Sequence, residues 1–121
     1  MKRVVLPLLI ALILPLMFFS FLGGVPGKAS EEEEINKLIE TATTPEDHMK
    51  IVYYYEKEAA KMEGMARSHA SLADSYKNRG KPLPGPAKHC LSLSKRFEEA
   101  AEEYNALAME HRKMAEEMKK Q

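Results

Sequence analysis

The sequence predicts an all-α protein: an antiparallel two-helix hairpin, led by a short helix and an export segment. Three observations carry this. Two long stretches each hold an apolar seam stepping by three and four residues, as facing helices require. A run with three prolines in five residues, Pro82 to Pro86, separates them and cannot be helix interior. Alanine then recurs every seventh residue on both sides of that run: Ala59, Ala66, Ala73 and Ala101, Ala108, Ala115. Small residues at that spacing let two helices approach closely, an Alacoil-like coiled coil.

The chain opens with Lys2 and Arg3 before an apolar run from Val4 to Leu22, and small residues follow up to Ser30. A basic start, an apolar middle and the small-residue pattern Gly27-x-Ala29 predict a secretory signal over residues 1–29, cleaved before Ser30. The apolar run is close to the roughly 20 residues that span a bilayer. An uncleaved anchor through residues 4–22 is therefore the alternative, although Pro7 and Pro15 count against a regular spanning helix. No cysteine follows the run, so lipoprotein-type anchoring is not expected. The expected location is periplasmic or extracellular, or the inner membrane if the anchor stays.

The whole chain carries 18 basic and 18 acidic side chains. Cleavage would remove Lys2, Arg3 and Lys28 and no acid, leaving a net charge of −3 with histidine neutral. That balance gives no basic footprint for nucleic acid and no polybasic patch for anionic lipid. Membrane contact is expected only if the leading segment is uncleaved. Cys90 is the only cysteine, so there is no internal disulfide framework. A lone thiol in an oxidising compartment reads as an intermolecular bridge, a metal ligand or a buried apolar filler.

Residues 30–43 form an acidic segment with a short amphipathic helix. Glu31 to Glu34 suit a helix N-terminus, and Ile35, Leu38, Ile39 and Ala42 recur at helical spacing. The hairpin domain is expected over 44–121. Thr44 is a good N-cap, Pro45 fits the first helical position, and Glu46 and Asp47 complement the dipole. The first long helix, about 45–79, keeps the seam His48, Val52, Tyr55, Ala59, Met62, Ala66, His69, Ala73, Tyr76. Gly64 lies off this seam and costs about 1 kcal/mol without stopping the helix. Gly80 is the expected left-handed stop, and residues 80–86 form the turn.

Pro86 is expected to open the second long helix, about 86–120. Its predicted seam is Cys90, Leu93, Phe97, Ala100, Tyr104, Leu107, His111, Met114, Met118. Each long helix should measure about 45–50 Å at 1.5 Å per residue. Two helices bury little, so a dimer closing a four-helix bundle is the simple way to complete a core. Folding the short helix back over the seam is the alternative cover.

Histidine, methionine and tyrosine crowd the seam. Buried polar groups need partners, and two registers supply them differently. One register sets His48 against His111, His69 against Cys90 and Tyr55 against Tyr104. It would gather His48, Met49, His111 and Met114 at the open end, and Met65, His69, His89 and Cys90 near the turn. Imidazole with thioether or thiolate suits copper, particularly Cu(I), or zinc where the thiol takes part. The other register lies one heptad away and centres the hairpin inside the proline turn. It sets His111 against Tyr55, Met62 against Tyr104, His69 against Phe97 and Tyr76 against Cys90. Tyr–His hydrogen bonds then satisfy the seam, and the six methionines after residue 29 act as core filler.

Catalysis has little support. The glutamates from Glu98 to Glu117 read as a solvated helix face, and a two-helix hairpin offers no dry pocket to shift a carboxylate. His89 and Cys90 are helix neighbours and do not face each other. No catalytic residue and no certain cofactor is expected.

The residues Thr44-Pro45-Glu46-Asp47-His48, Tyr53-Tyr54-Tyr55, Glu58-Ala59-Ala60, Ala66-x-x-His69, His89-Cys90, Ala100-Ala101-x-Glu103 and Leu107-Ala108-x-x-His111-Arg112 resemble an uncharacterised family of small exported bacterial helical-hairpin proteins. The resemblance covers most of the chain after the signal. It implies fold and export and carries no catalytic residue across. A looser similarity to periplasmic metal-binding four-helix proteins rests on the seam histidines and methionines. The expected role is thus an envelope structural or interaction module, meeting itself or another helical envelope protein. The alternative is a periplasmic copper or zinc binder using His48, His69, His89, Cys90, His111, Met65 and Met114.

Overall fold

The computed structural model describes residues 29–121. The predicted signal or anchor lies outside them, apart from its last residue, Ala29. Three helices follow in order: α1, Glu31–Thr41; α2, Pro45–Asn78; and α3, Pro84–Met118. Among the described residues there is no strand. None of these helices is long and apolar enough to cross a membrane.

Each helix starts where side-chain chemistry satisfies its free amide groups. Ser30 caps α1: its hydroxyl accepts from Glu33 N at 3.2 Å, while its own amide donates to the Glu33 carboxylate at 3.0 Å. That reciprocal pair is a capping box, readable in the sequence as Ser-x-x-Glu before an apolar run. The sequence reading assigned Ser30 only to the cleavage site. Thr44 caps α2 by accepting from Asp47 N at 3.1 Å, and Pro45 occupies the first turn as expected.

The turn departs from expectation. Gly80 is not left-handed: no glycine among the described residues has positive φ, and Arg79 ends α2 in extended geometry. The Leu83 amide instead reaches back to the Tyr76 carbonyl at 3.0 Å and closes the loop. Helix α3 begins at Pro84, two residues before the expected Pro86. Both prolines sit in the first turn, where a missing N–H costs nothing.

The two long helices pack along their whole length, whereas α1 packs on α2 alone. The most buried positions repeat every seventh residue. On α2 they are Val52, Ala59, Ala66 and Ala73; on α3, Ala87, Ser94, Ala101, Ala108 and Ala115; Ile51, absent from the predicted seam, is fully buried beside this repeat. This small-residue spine brings the backbones close enough for a side chain of one helix to reach the main chain of the other. Ser94 Oγ donates to the Ala66 carbonyl at 2.9 Å.

The α2 seam is the predicted one, but half of the α3 seam is shifted by one residue. Leu93, Leu107 and Met114, expected inside, are each 41–42% exposed. Their neighbours Ser94, Ala108 and Ala115 are buried instead. Close approach selects the smaller residue of each pair and pushes the larger one to the flank.

Candidate functional site

Beside the alanine spine runs a second row of larger, mostly half-buried side chains, contributed alternately by the two helices. His48 and His111 have ring centroids 5.2 Å apart, His111 and Tyr55 5.9 Å, and Tyr55 and Tyr104 6.1 Å. Farther along, His69 stacks on Phe97 at 5.4 Å with the planes 11° apart. The row is a zigzag. His111 lies between His48 and Tyr55, and Tyr55 between His111 and Tyr104, so the two registers weighed from sequence are successive steps of one ladder. His48 meets His111 as the first register requires, and His111 also meets Tyr55 as the second requires.

Successive residues turn by about 100° around a helix. Around each helix the order is therefore charged flank, spine, ladder, second flank. In an antiparallel pair, equivalent flank positions of both helices fall on the same side. The Arg112–Glu56 ion pair between α3 and α2 shows this on the charged flank, which also carries Glu63, Lys77, Glu98 and Lys119, with Met49 and Leu91 among them. The opposite flank is apolar. It carries Met65 and Leu72 from α2, with Leu93, Ala100, Leu107 and Met114 from α3. Met65 is 38% exposed and Leu72 46%. Ladder and apolar flank together make one broad face, with Glu58 as its only acid.

The histidine pair lies at the open end of the hairpin. His48 is 7% exposed, and its Nδ1 stands 2.9 Å from Nδ1 of His111. Burial first, then His48 beside it, hold the His111 ring below the usual histidine range, with Glu110 opposing. One ring must donate and the other accept, so the two differ in tautomer. Each histidine supplies the partner that a buried imidazole needs.

The other candidate ligands are dispersed. His69 Nδ1 is buried with no hydrogen-bond partner. Cys90 is a half-buried free thiol, and His89 is exposed. Met49, Met65 and Met114 are all partly exposed on the flanks. Among the described residues, no three His, Cys, Asp or Glu side chains gather where they could hold a metal ion.

A separate groove of about 530 Å³ lies where α1 returns along α2, lined by Ile35, Leu38, Met49, Tyr53 and Tyr54 with Glu31, Glu34, Lys50 and Lys119. Lys57 pairs with Glu31 across the same two helices, and this bond, the largest cause, raises the ammonium pKa. Burial, then Glu58 and Glu32, push the Tyr54 hydroxyl above the usual phenol range.

The alanine spacing was legible in the sequence, and His48 faced His111 in one of its two registers, the one the turn residues did not favour. Sequence reasoning missed the division into two unlike flanks, because that division depends on which of two adjacent α3 residues faces α2. The chain matches no family model, no curated protein and no solved structure.

Proposed function

We propose that this protein is an exported envelope module, without catalytic activity, whose hairpin pairs face to face with a second copy of itself. The observation that carries the reading is the contrast between the two flanks. One carries Glu56, Glu63, Lys77, Glu98, Arg112 and Lys119, with Met49 and Leu91 as its exposed large apolar residues; the other exposes Met65, Leu72, Leu93, Leu107 and Met114. A stripe of that kind on a slender hairpin marks a contact surface.

A second copy is the occupant that fits. The face is nearly free of charge, so two copies meet without repulsion, although the chain beyond residue 29 is net acidic. From Leu93 to Met114 the exposed stripe is about 30 Å long, and at about 15 Å wide it offers on the order of 450 Å² per copy, the size of a reversible contact. Two hairpins joined this way form a four-helix bundle whose core is the ladder and the apolar flanks, with the charged flanks outside. Export rests on the leading segment: Lys2 and Arg3, the apolar run and Gly27-x-Ala29.

The test compares two glutamates placed two residues apart on α3. Leu107→Glu puts a charge on the apolar flank, and Asn105→Glu puts one on the charged flank. By gel filtration of protein recovered from expressing cells, Leu107→Glu should elute as a monomer and Asn105→Glu as wild type does. Equal elution of both variants would contradict the assignment of the face.

A further inference from the structure

The His48–His111 contact is more specific than a packing contact between two rings. The rings meet through like nitrogens, Nδ1 to Nδ1 at 2.9 Å, with centroids 5.2 Å apart and planes tilted by 34°. As a hydrogen bond, this arrangement requires two different tautomers. With both protons on Nε2, two lone pairs converge on one point from two separate helices. The centroid spacing equals the nitrogen–nitrogen distance plus the two ring radii, so the lone pairs point along one line; a metal about 2.0–2.1 Å from each nitrogen then needs the two about 4 Å apart, an opening of about 1 Å.

Two features narrow the ion. The site is poorly hydrated, since His48 is 7% exposed, and the two rings bring no negative charge to it. A divalent ion in such a place would stay uncompensated, whereas a soft monovalent ion with weak hydration loses less. A soft donor also stands next in the ladder. Met118 is related to His48 by the same heptad step that relates Tyr55 to His111, a pair 5.9 Å apart, and it is half-buried.

We propose that His48 and His111 bind one Cu(I) ion through their Nδ1 atoms, with the Met118 thioether as third donor. When the ion enters, the Nδ1 proton of the donating ring is exchanged through solvent to that ring's Nε2. Both imidazoles stay neutral and no net proton is released. All three donors belong to one chain, so the ion count per chain reads the site whether or not two copies pair.

The experiment is anaerobic titration of the full chain with Cu(I) against a chromogenic chelator near pH 7. A Cys90→Ser background removes the one thiol that would bind the ion elsewhere. The expected result is one Cu(I) per chain. His48→Ala and His111→Gln should each weaken binding by about 100-fold and Met118→Leu by about 10-fold, with His69→Ala unchanged. X-ray absorption of the loaded chain should show two nitrogens and one sulfur. His111→Gln keeps a hydrogen-bonding side chain opposite His48, and circular dichroism confirms that it remains helical. Absence of binding, or binding that His111→Gln retains, overturns the proposal.

Discussion

Ser94 Oγ donates to the Ala66 carbonyl oxygen at 2.9 Å, joining α3 to the backbone of α2 inside the spine. A helix carbonyl has a second lone pair, so it accepts this bond beside its own helical one. The bond exists because alanine at every seventh position holds the helices close. Ser94→Ala should therefore cost only about 0.5–1.5 kcal/mol, the net worth of one hydrogen bond. Alanine already fills every other spine position of α3. Urea unfolding of the variant measures the loss, and a cost several-fold larger would mean that the bond holds more than its own geometry.

Enlarging the spine should be worse than trimming the flank. Ala101 is 4% exposed, and Ala101→Leu forces the backbones apart at about 1–3 kcal/mol or more. Leu93, at 41% exposed, is a flank residue, so Leu93→Ala should cost less than that. Melting temperatures in the reverse order would return Leu93 to the seam.

Gly64 is a target for stabilisation. A Cβ there would meet only the Arg67 guanidinium, at 3.9 Å. Gly64→Ala should raise stability by about 0.5–1 kcal/mol through helix propensity alone. A fall in the urea midpoint would show a close neighbour at that position.

Acid should weaken the start of α2. The Thr44 hydroxyl, followed by the Thr43 amide, holds the Asp47 carboxyl below its ordinary value. A carboxyl depressed in the folded state stabilises above its unfolded pKa of about 3.9, and the contribution is lost as pH falls through the folded value. The stability gap between wild type and Asp47→Asn should therefore be constant near neutrality and close below about pH 4. A gap that persists at pH 2 would assign it to something other than the charge.

How much was legible in the sequence depended on residue size. On α2 the seam was plain, because its small and large members sit at unambiguous heptad positions. On α3 the pairs Leu93-Ser94, Leu107-Ala108 and Met114-Ala115 each offered two choices, and hydrophobicity favoured the wrong member. The alanine spacing already held the answer, since a spine that admits Ala59, Ala66 and Ala73 on one side has no room for leucine on the other. The two registers looked exclusive because facing residues were imagined in pairs. A ladder gives a ring two neighbours, as His111 has in His48 and Tyr55. Gly80 was misread for a simpler reason: Arg79 turns into extended backbone before a left-handed residue is needed. The Ser30–Glu33 capping box was present as a motif and was passed over for the cleavage site.

The central claim is that the ladder and the apolar flank close against the same face of a second copy. Sedimentation equilibrium of protein recovered from expressing cells, over a wide concentration range, tests it most directly. The expected result is the mass of two chains at high concentration, falling to one on dilution and under Leu93→Glu with Leu107→Glu. A single-chain mass at every concentration would contradict it.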